Sequence, residues 1–236
     1  MFLPTIERVV PSSRRRYPVR VQPDPSFLAP GRFVDSDHRD VIAFSRETCA
    51  GARSDRESAS RLFEAVRERL RYDPYTIRTD PNEYVASTLL RRTRAYCIPK
   101  AVLLCAAARA AGIPARLGFA DVKNHLASKK LLDTLGSDLF AFHGYVELWI
   151  DGRPVKATPA FNAALCARFG VPPLAFDGEH DALLQAFDGQ GRRYMEYVRD
   201  RGLYLDLPLD EILRTFAELY GTARPPGDTH DEAFHG

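Results

Sequence analysis

The sequence predicts a globular domain that combines helices with antiparallel strands, and three features carry this prediction. An apolar run from Ile98 to Ala111 lies between residues that begin and end helices. Polar and apolar residues alternate from His143 to Ile150, as in a strand with one buried face. The pair Asp151-Gly152 that follows is typical of a two-residue hairpin turn, so this strand returns as a second, antiparallel one.

The other elements follow in chain order, with an arm before them and a tail behind. Residues 1–35 are rich in proline and arginine and are predicted to form an N-terminal arm. Residues 36–222 are predicted to form the domain, with helices at its C-terminal end, and residues 223–236 a disordered tail. Within the domain we expect a strand at 116–122 and helices at 40–50, 54–72, 128–135, 194–201 and 209–220.

Composition and charge exclude several classes of protein. The 236 residues are 45% hydrophobic and 27% charged, and the net charge of +2 predicts neither a nucleic-acid nor a membrane partner. The longest apolar run, residues 101–108, is too short to span a bilayer, and the first residues lack a secretory signal. Four widely spaced cysteines predict reduced thiols and a cytoplasmic protein. No HExxH, CxxC or phosphate-loop motif is present, so we expect no metal and no cofactor.

Cys97 lies where the apolar helix starts. Pro99 suits the first turn of a helix, because the amide that it lacks would be unpaired there, and Gly112 and Pro114 end the helix. Cys97 is therefore predicted at the N-cap, where unpaired amides and the positive end of the helix dipole stabilise a thiolate. The position also suits a small buried residue, so the helix alone leaves a nucleophile and a core thiol equally open.

The hairpin turn fixes the register of the strand that contains His143. Paired residue numbers must sum to 303, which places Glu147 opposite Lys156 as a cross-strand ion pair. In the same register His143 opposes Ala160, and Thr158 is its diagonal neighbour on one face of the sheet. A histidine and a polar residue are thus predicted to meet at the open end of the hairpin.

Two stretches together resemble the transglutaminase-like superfamily, including its microbial, protease-like members. The first runs from Cys97 to the sequence Arg-Ala-Ala-Gly-Ile-Pro-Ala-Arg at 109–116, and the second from His143 through Asp-Gly to the polar residue before Pro159. The resemblance covers roughly residues 36–165 and implies an α+β, papain-like fold, in which the helix with the nucleophile packs on an antiparallel sheet. It also implies that Cys97 is the nucleophile and His143 the general base.

The third catalytic position departs from the family pattern. The family usually has an aspartate just before the proline, where a carboxylate orients the histidine and stabilises the imidazolium. Here the residue is Thr158, which can accept a hydrogen bond but brings no charge. The Cys97–His143 ion pair is therefore expected to be less stabilised, unless Asn162, Asp151 or a residue outside the hairpin substitutes.

The predicted chemistry is acyl transfer through a thioester of Cys97 with an amide, ester or other activated carbonyl. Water as the acceptor gives a hydrolase and an amine gives a transferase; the small microbial relatives favour hydrolysis of an amide or peptide bond. Arg94, His125 and Tyr96 are candidate substrate-binding residues. The basic residues before the nucleophile and in the segment 123–142 would favour an anionic substrate if they converge on the cleft.

Two other interpretations stay open. Thr158 favours a catalytically silent transglutaminase-like module that binds a peptide or protein, whereas the presence of both Cys97 and His143 favours an enzyme. Within the enzyme class, a small-molecule hydrolase that acts on an ester, amide or diketone competes with a peptidase. Cleavage of a generic peptide substrate, or its absence, would separate these two.

Overall fold

The computed structural model describes residues 22–125, 127–184, 188 and 190–221, which fold into an α+β domain. Its helices are α1 (Arg39–Thr48), α2 (Asp55–Arg69), α3 (Ala86–Leu89), α4 (Cys97–Ala110), α5 (Lys129–Leu135), α6 (Ala163–Arg168) and α7 (Leu209–Tyr220). Its strands are β1 (Arg71–Tyr72), β2 (Arg94–Ala95), β3 (Ala115–Asn124), β4 (Leu139–Ile150), β5 (Arg153–Ala157) and β6 (Met195–Tyr204). Within this part of the chain no helix is long and apolar enough to cross a membrane.

Helix α4 forms the centre of the core. It packs against α1, α2 and α3 and against the strands β3 and β4, and every residue from Cys97 to Arg109 is buried. An Ala- and Leu-rich helix without a polar face must be covered on all sides, which explains its central place. The predicted helix is confirmed, but it begins one residue early: Cys97 is its first residue, and Tyr96, with an extended backbone, is the N-cap.

Lys100 joins the first turn of α4 to the end of α2. Its side chain is fully buried, and its Nζ donates hydrogen bonds to the carbonyls of Arg67, at 2.8 Å, and of Leu70. These carbonyls are otherwise unpaired at the C-terminal end of a helix. Burial lowers the pKa of Lys100 to about 7. The contact fixes the end of α2, and Tyr72 of β1 follows immediately in the chain.

The larger sheet has the strand order β5-β4-β3-β6, and neighbouring strands are antiparallel. The predicted register of β4 and β5 is confirmed, since paired residue numbers sum to 303 along the whole ladder, which ends at Ala157. His143 therefore does not oppose Ala160, and this part of the prediction is wrong. Beyond Ala157 the chain pairs with another segment instead: the Thr158 amide donates to the Ala182 carbonyl at 2.9 Å.

Glu147 lies opposite Lys156, as predicted, but its ion pair is formed with another residue. The buried carboxylate accepts hydrogen bonds from Nε and Nη2 of Arg116, its neighbour on β3. Lys156 instead places its Nζ over the ring of Tyr145, 5.2 Å from the ring centroid. Glu147 pairs with Arg116 rather than with Lys156 because the guanidinium group offers two N–H groups to one carboxylate.

The segment 194–201, predicted as a helix, is a strand. It forms the first part of β6, which pairs with the free edge of β3. The spacing of the apolar residues alone favours a helix, but the backbone pairing with β3 decides the structure of this segment. The helices predicted at 40–50, 54–72, 128–135 and 209–220 and the strand at 116–122 are present as α1, α2, α5, α7 and β3, although α2 ends at Arg69.

The domain begins before residue 36. Phe33 and Val34 are buried in the core, and the carboxylate of Asp206 accepts hydrogen bonds from both of their amides. The last part of the predicted arm therefore belongs to the folded domain. Residues 1–21, with the basic triplet at 14–16, and the predicted tail at 223–236 lie outside the described residues.

Replacing Lys100 with methionine should remove a pH dependence of stability. The unfolded chain keeps this proton up to about pH 10.4, whereas the folded state releases it near pH 7, so the unfolded state binds more protons between these values. Relative to Lys100→Met, the stability of the wild type should therefore rise by about 1–2 kcal/mol from pH 7 to pH 8.5, as measured by urea unfolding. Lys100→Met should lose this rise, and Lys130→Met, at an exposed position, should keep it. Equal slopes in all three proteins would contradict the buried lysine as its source.

Candidate active site

A cleft with about 890 Å³ of space unoccupied by atoms, its open mouth included, lies at the N-terminal end of α4. Cys97 and His143 both line it. The remaining lining comes from β1, β3, β4, α5, α6, β6, α7 and the loops between them, and most of these residues are aromatic or aliphatic. Outside the cleft as well, the described residues contain no group of three or more His, Cys, Asp or Glu side chains that could hold a metal ion.

Cys97 combines a buried thiol with several amide donors. Its residue is 9% exposed, and the amides of Cys97, Ile98 and Gly144 point at the sulfur. Burial raises the pKa of Cys97 to about 11, because the three amides offset only a part of the desolvation. The amides at the helix start therefore lower the pKa of the thiol, as expected, but burial outweighs them.

Gly144 allows β4 to approach the start of α4. A Cβ atom at this position would lie 3.2 Å from both the Cys97 carbonyl oxygen and the Ile98 Cα. These distances are shorter than ordinary carbon contacts, so a larger residue would push the strand from the helix. The glycine thus brings its own amide, and the neighbouring His143, to the sulfur's side of the cleft.

His143 is buried and has no charged partner. Its Nε2 atom makes no hydrogen bond within the described residues, and burial lowers the pKa of the ring to about 4. Thr158, which is 1% exposed, leaves its Oγ1 equally unpartnered in that part of the chain. The pair of catalytic candidates is therefore a neutral thiol and a neutral imidazole.

Tyr197 of β6 lies near both His143 and Thr158. Its ring meets the His143 ring edge-on, with centroids 6.3 Å apart and an interplanar angle of 76°. Burial raises the pKa of Tyr197, and its hydroxyl lies close enough to Thr158 for that side chain to offset a part of the rise. Tyr197 therefore lies near both residues, and within the described residues neither Thr158 Oγ1 nor His143 Nε2 makes a hydrogen bond.

A β-bulge in β4 directs His143. The register of β3 and β4 shifts just before this residue, and Phe142 has a φ of +55°. Asp121 holds the bulge: its Oδ1 accepts the Phe142 amide at 3.1 Å, and both of its oxygens bind Arg201 at 2.9 Å. Bulges beside active sites commonly redirect a side chain, and a non-glycine residue at positive φ needs such support.

Tyr72 places a free hydroxyl in the cleft. Burial and the proximity of Cys97 raise its pKa well above the ordinary value, and within the described residues the hydroxyl makes no hydrogen bond. The residue itself is fixed: its amide donates to Oδ1 of Asn162 at 3.0 Å, and its ring contacts the Phe161 ring edge-on at 4.8 Å. Asn162 therefore positions Tyr72, and its role as an alternative orienter of His143 stays a prediction.

The predicted substrate-binding residues are only partly in the cleft. Tyr96 lines it, but its hydroxyl pairs with the Tyr84 hydroxyl at 3.0 Å. Arg94 pairs with Asp73 at 3.6 Å, and neither Arg94 nor His125 lines the cleft. His125 Nε2 and the Glu196 carboxylate are 2.9 Å apart on the surface. Asp151, the other proposed substitute for the missing carboxylate, binds Arg56 in the hairpin turn.

A sequence profile of the transglutaminase-like superfamily matches residues 42–159, which is half of the chain. The chain belongs to this superfamily. The matched segment contains Cys97, His143 and Thr158. The cleft walls formed by β6 and α7 lie beyond it.

Two solved structures are similar to this transglutaminase-like chain at low identity. A candidate cysteine protease from Cytophaga hutchinsonii is 15% identical with a TM-score of 0.43, and the match covers 75% of this chain and 53% of that protein. A candidate protease from Parabacteroides distasonis is 16% identical with a TM-score of 0.39, covering 69% and 32% respectively. The chain thus spans about half of the first protein and about a third of the second. No curated protein matches the chain.

Replacing Asp121 with asparagine should weaken the support of the bulge. Removing one partner of a buried ion pair leaves Arg201 unpaired, so we expect the free energy of unfolding to fall by about 3 kcal/mol in urea titrations. Asp138→Asn is the matched control, because that carboxylate pairs with Lys123 at the surface and should cost less than about 1 kcal/mol. Similar losses in both variants would mean that the buried pair gives the bulge no special support.

Replacing Thr158 with aspartate should restore an ion pair in this superfamily member. A carboxylate near His143 favours the imidazolium, which in turn favours the Cys97 thiolate. We expect alkylation of Cys97 by iodoacetamide at pH 6, followed by mass spectrometry, to become at least about tenfold faster. In Thr158→Asn the side chain has nearly the same shape as aspartate but no charge, so Cys97 of this variant should be alkylated at the wild-type rate. An aspartate variant as slow as the asparagine variant would show that position 158 does not influence the histidine.

Proposed function

We propose that this chain is a cysteine-dependent acyl-transfer enzyme, a hydrolase of an amide or peptide bond that works through a thioester of Cys97. The observation that carries the proposal is the meeting of three features in one cleft: a thiol at a helix start, amides directed at its sulfur, and His143. These are the parts that nucleophilic acyl transfer requires.

In the proposed mechanism both catalytic groups start neutral. The imidazole of His143 takes the thiol proton as the sulfur of Cys97 attacks the carbonyl carbon, so the thiolate need not exist before the substrate binds. The resulting imidazolium gives that proton to the leaving group, and a thioester remains. The same imidazole then takes a proton from water, which attacks the thioester, and returns that proton to the sulfur as the acid is released, so that the free thiol and the neutral imidazole are restored.

Two donors are available for the oxyanion that forms in each step. The amide of Cys97 is one, as in other enzymes with a nucleophile at a helix start, and the Tyr72 hydroxyl is the second. Tyr72 suits this role because its hydroxyl is near Cys97 and has no other partner in the described residues. A hydroxyl with a raised pKa stays protonated at neutral pH and can donate.

Without a carboxylate beside it, His143 should serve as a base over a wide pH range but stabilise the imidazolium poorly. The low pKa of its ring places the acid limb of the rate profile near pH 4, since only the neutral imidazole can accept the proton. The rate should therefore change little between pH 5 and pH 8. An ester or an activated amide, which has a better leaving group than a peptide, is the easier substrate for such a site.

The proposal can be tested by trapping the acyl enzyme. Mass spectrometry of protein mixed with p-nitrophenyl butyrate should show a butyryl group on Cys97, and release of p-nitrophenol should continue after the first turnover. Cys97→Ala should abolish both, His143→Asn should slow turnover by about a hundredfold or more, and Tyr72→Phe by about a hundredfold. Cys105→Ala, a buried cysteine of the same helix, and Tyr75→Phe, whose hydroxyl makes no hydrogen bond in the described residues, are matched controls that should stay active.

The other candidate is a module that binds a peptide without cleaving it. The unpartnered Nε2 of His143 and the raised pKa of Cys97 favour this reading. Absence of both acylation and turnover in correctly folded protein would support the module and reject the enzyme. Turnover of esters without cleavage of a generic peptide would indicate the small-molecule hydrolase.

A further inference from the structure

The lining of the cleft contains no charged side chain. Among the described residues that form it are eight aromatic residues from several parts of the fold and several aliphatic ones, but no Asp, Glu, Lys or Arg. Three basic residues that lie close to lining residues in the chain are paired with carboxylates: Arg94 with Asp73, Lys123 with Asp138 and Lys129 with Asp133. A charged substrate would therefore lose its hydration in this cleft without gaining a partner.

One wall of the cleft is a continuous aromatic surface. The Tyr72 and Phe161 rings are in edge contact at 4.8 Å, and the Phe161 and Tyr194 rings are stacked, with centroids 6.2 Å apart and an interplanar angle of 19°. Such a surface binds flat or branched apolar groups through contact area and ring geometry. This aromatic surface begins beside Cys97, because Tyr72 lies close enough to Cys97 for the thiol to raise the tyrosine's pKa.

Helix α7 closes another side and is held in place by a specific contact. The Tyr220 hydroxyl accepts the Ala141 amide at 2.7 Å and donates to the Leu139 carbonyl at 2.9 Å. The Phe216 ring packs on the Tyr220 ring at 5.4 Å and also lines the cleft. This wall is therefore preformed, which favours binding because little has to be ordered when a ligand enters.

We propose that the cleft selects uncharged acyl donors with an aromatic or branched aliphatic group, namely esters or amides of such acids. The proposal rests on the acyl-transfer function proposed above and names its substrate class. It replaces the anionic substrate that the basic residues of the sequence suggested. The lining from β6 and α7 lies outside the segment 42–159 that matches the superfamily, whereas Tyr72 and Leu135 lie inside it.

The first test compares esters that differ only in the acyl group. For p-nitrophenyl acetate, butyrate and hexanoate we expect kcat/KM to rise about threefold to fourfold for each added methylene group. The 3-phenylpropanoate ester should be among the best substrates, and the mono-ester of succinate should be at least about a hundredfold worse than butyrate. A flat series, or a preference for the succinate ester, would overturn the proposal.

The second test does not depend on turnover. Cys97 is alkylated with iodoacetamide, N-benzyl iodoacetamide and iodoacetate, and each rate is divided by that of the same reagent with free cysteine. We expect the benzyl reagent to be at least about tenfold faster than iodoacetamide, and iodoacetate to be the slowest. If this order holds while no ester is hydrolysed, the acyl-transfer function fails and the apolar cleft stands. If esters are hydrolysed but both series are flat, only the substrate class fails.

A pair of variants on α5 checks that the cleft lining causes the preference. Leu135 lines the cleft, whereas the neighbouring Thr134 does not, and its hydroxyl donates to the Lys130 carbonyl. Leu135→Arg introduces a cation, so the relative rate of iodoacetate should rise by at least about tenfold, and Thr134→Arg should leave the order of the reagents unchanged. The same change in both variants, or in neither, would contradict selection by the cleft.

Discussion

The close approach of β4 to the first turn of α4 is the constraint on which the site depends. Helix α4 is covered on all sides, so its first residue, Cys97, is also removed from water. A thiol in this setting is useful only if polar groups reach it, and the strand can supply the Gly144 amide because it carries no Cβ there. The bulge at Phe142 then turns the next residue, His143, toward the same cleft. Lys100 fixes the position of Tyr72 on the opposite side of Cys97, since its hydrogen bonds hold the end of α2 against α4.

Burial favours the neutral form of both catalytic candidates, and no carboxylate beside His143 opposes this effect. Each group is held in its neutral form: desolvation raises the pKa of Cys97 to about 11 and lowers that of His143 to about 4. An aspartate at position 158 would oppose this effect for the histidine, whereas Thr158 cannot, because a hydroxyl carries no charge. In the proposed mechanism the charges therefore arise only as the substrate reacts, and the amides and the Tyr72 hydroxyl stabilise the oxyanion.

The sequence predicted the parts of the fold that short-range signals determine. Pro99 and Gly112 delimited α4 within a residue, and Asp151-Gly152 fixed the register of β4 and β5. Helix was predicted for the start of β6, however, because that segment is a strand only through its pairing with β3, about 80 residues earlier in the chain. The same limitation applies to the site. Cys97 and His143 stood out locally, but the roles of Tyr72, Asp121 and Tyr197 depend on contacts between distant segments, as do the contacts of Arg94 with Asp73 and of His125 with Glu196.

The apolar cleft links reactivity to selectivity. The walls that exclude water from Cys97 are the cause of its raised pKa, and the same walls penalise any charged group that enters. An uncharged acyl group that fills the cleft displaces the remaining water, which strengthens the interaction of the developing oxyanion with the few polar groups left near the sulfur. A thiol that reacts slowly with small polar reagents can therefore still react with a substrate that fits. In this proposal Cys97 and His143 supply the reacting groups, and the apolar lining around them decides which acyl group reaches them.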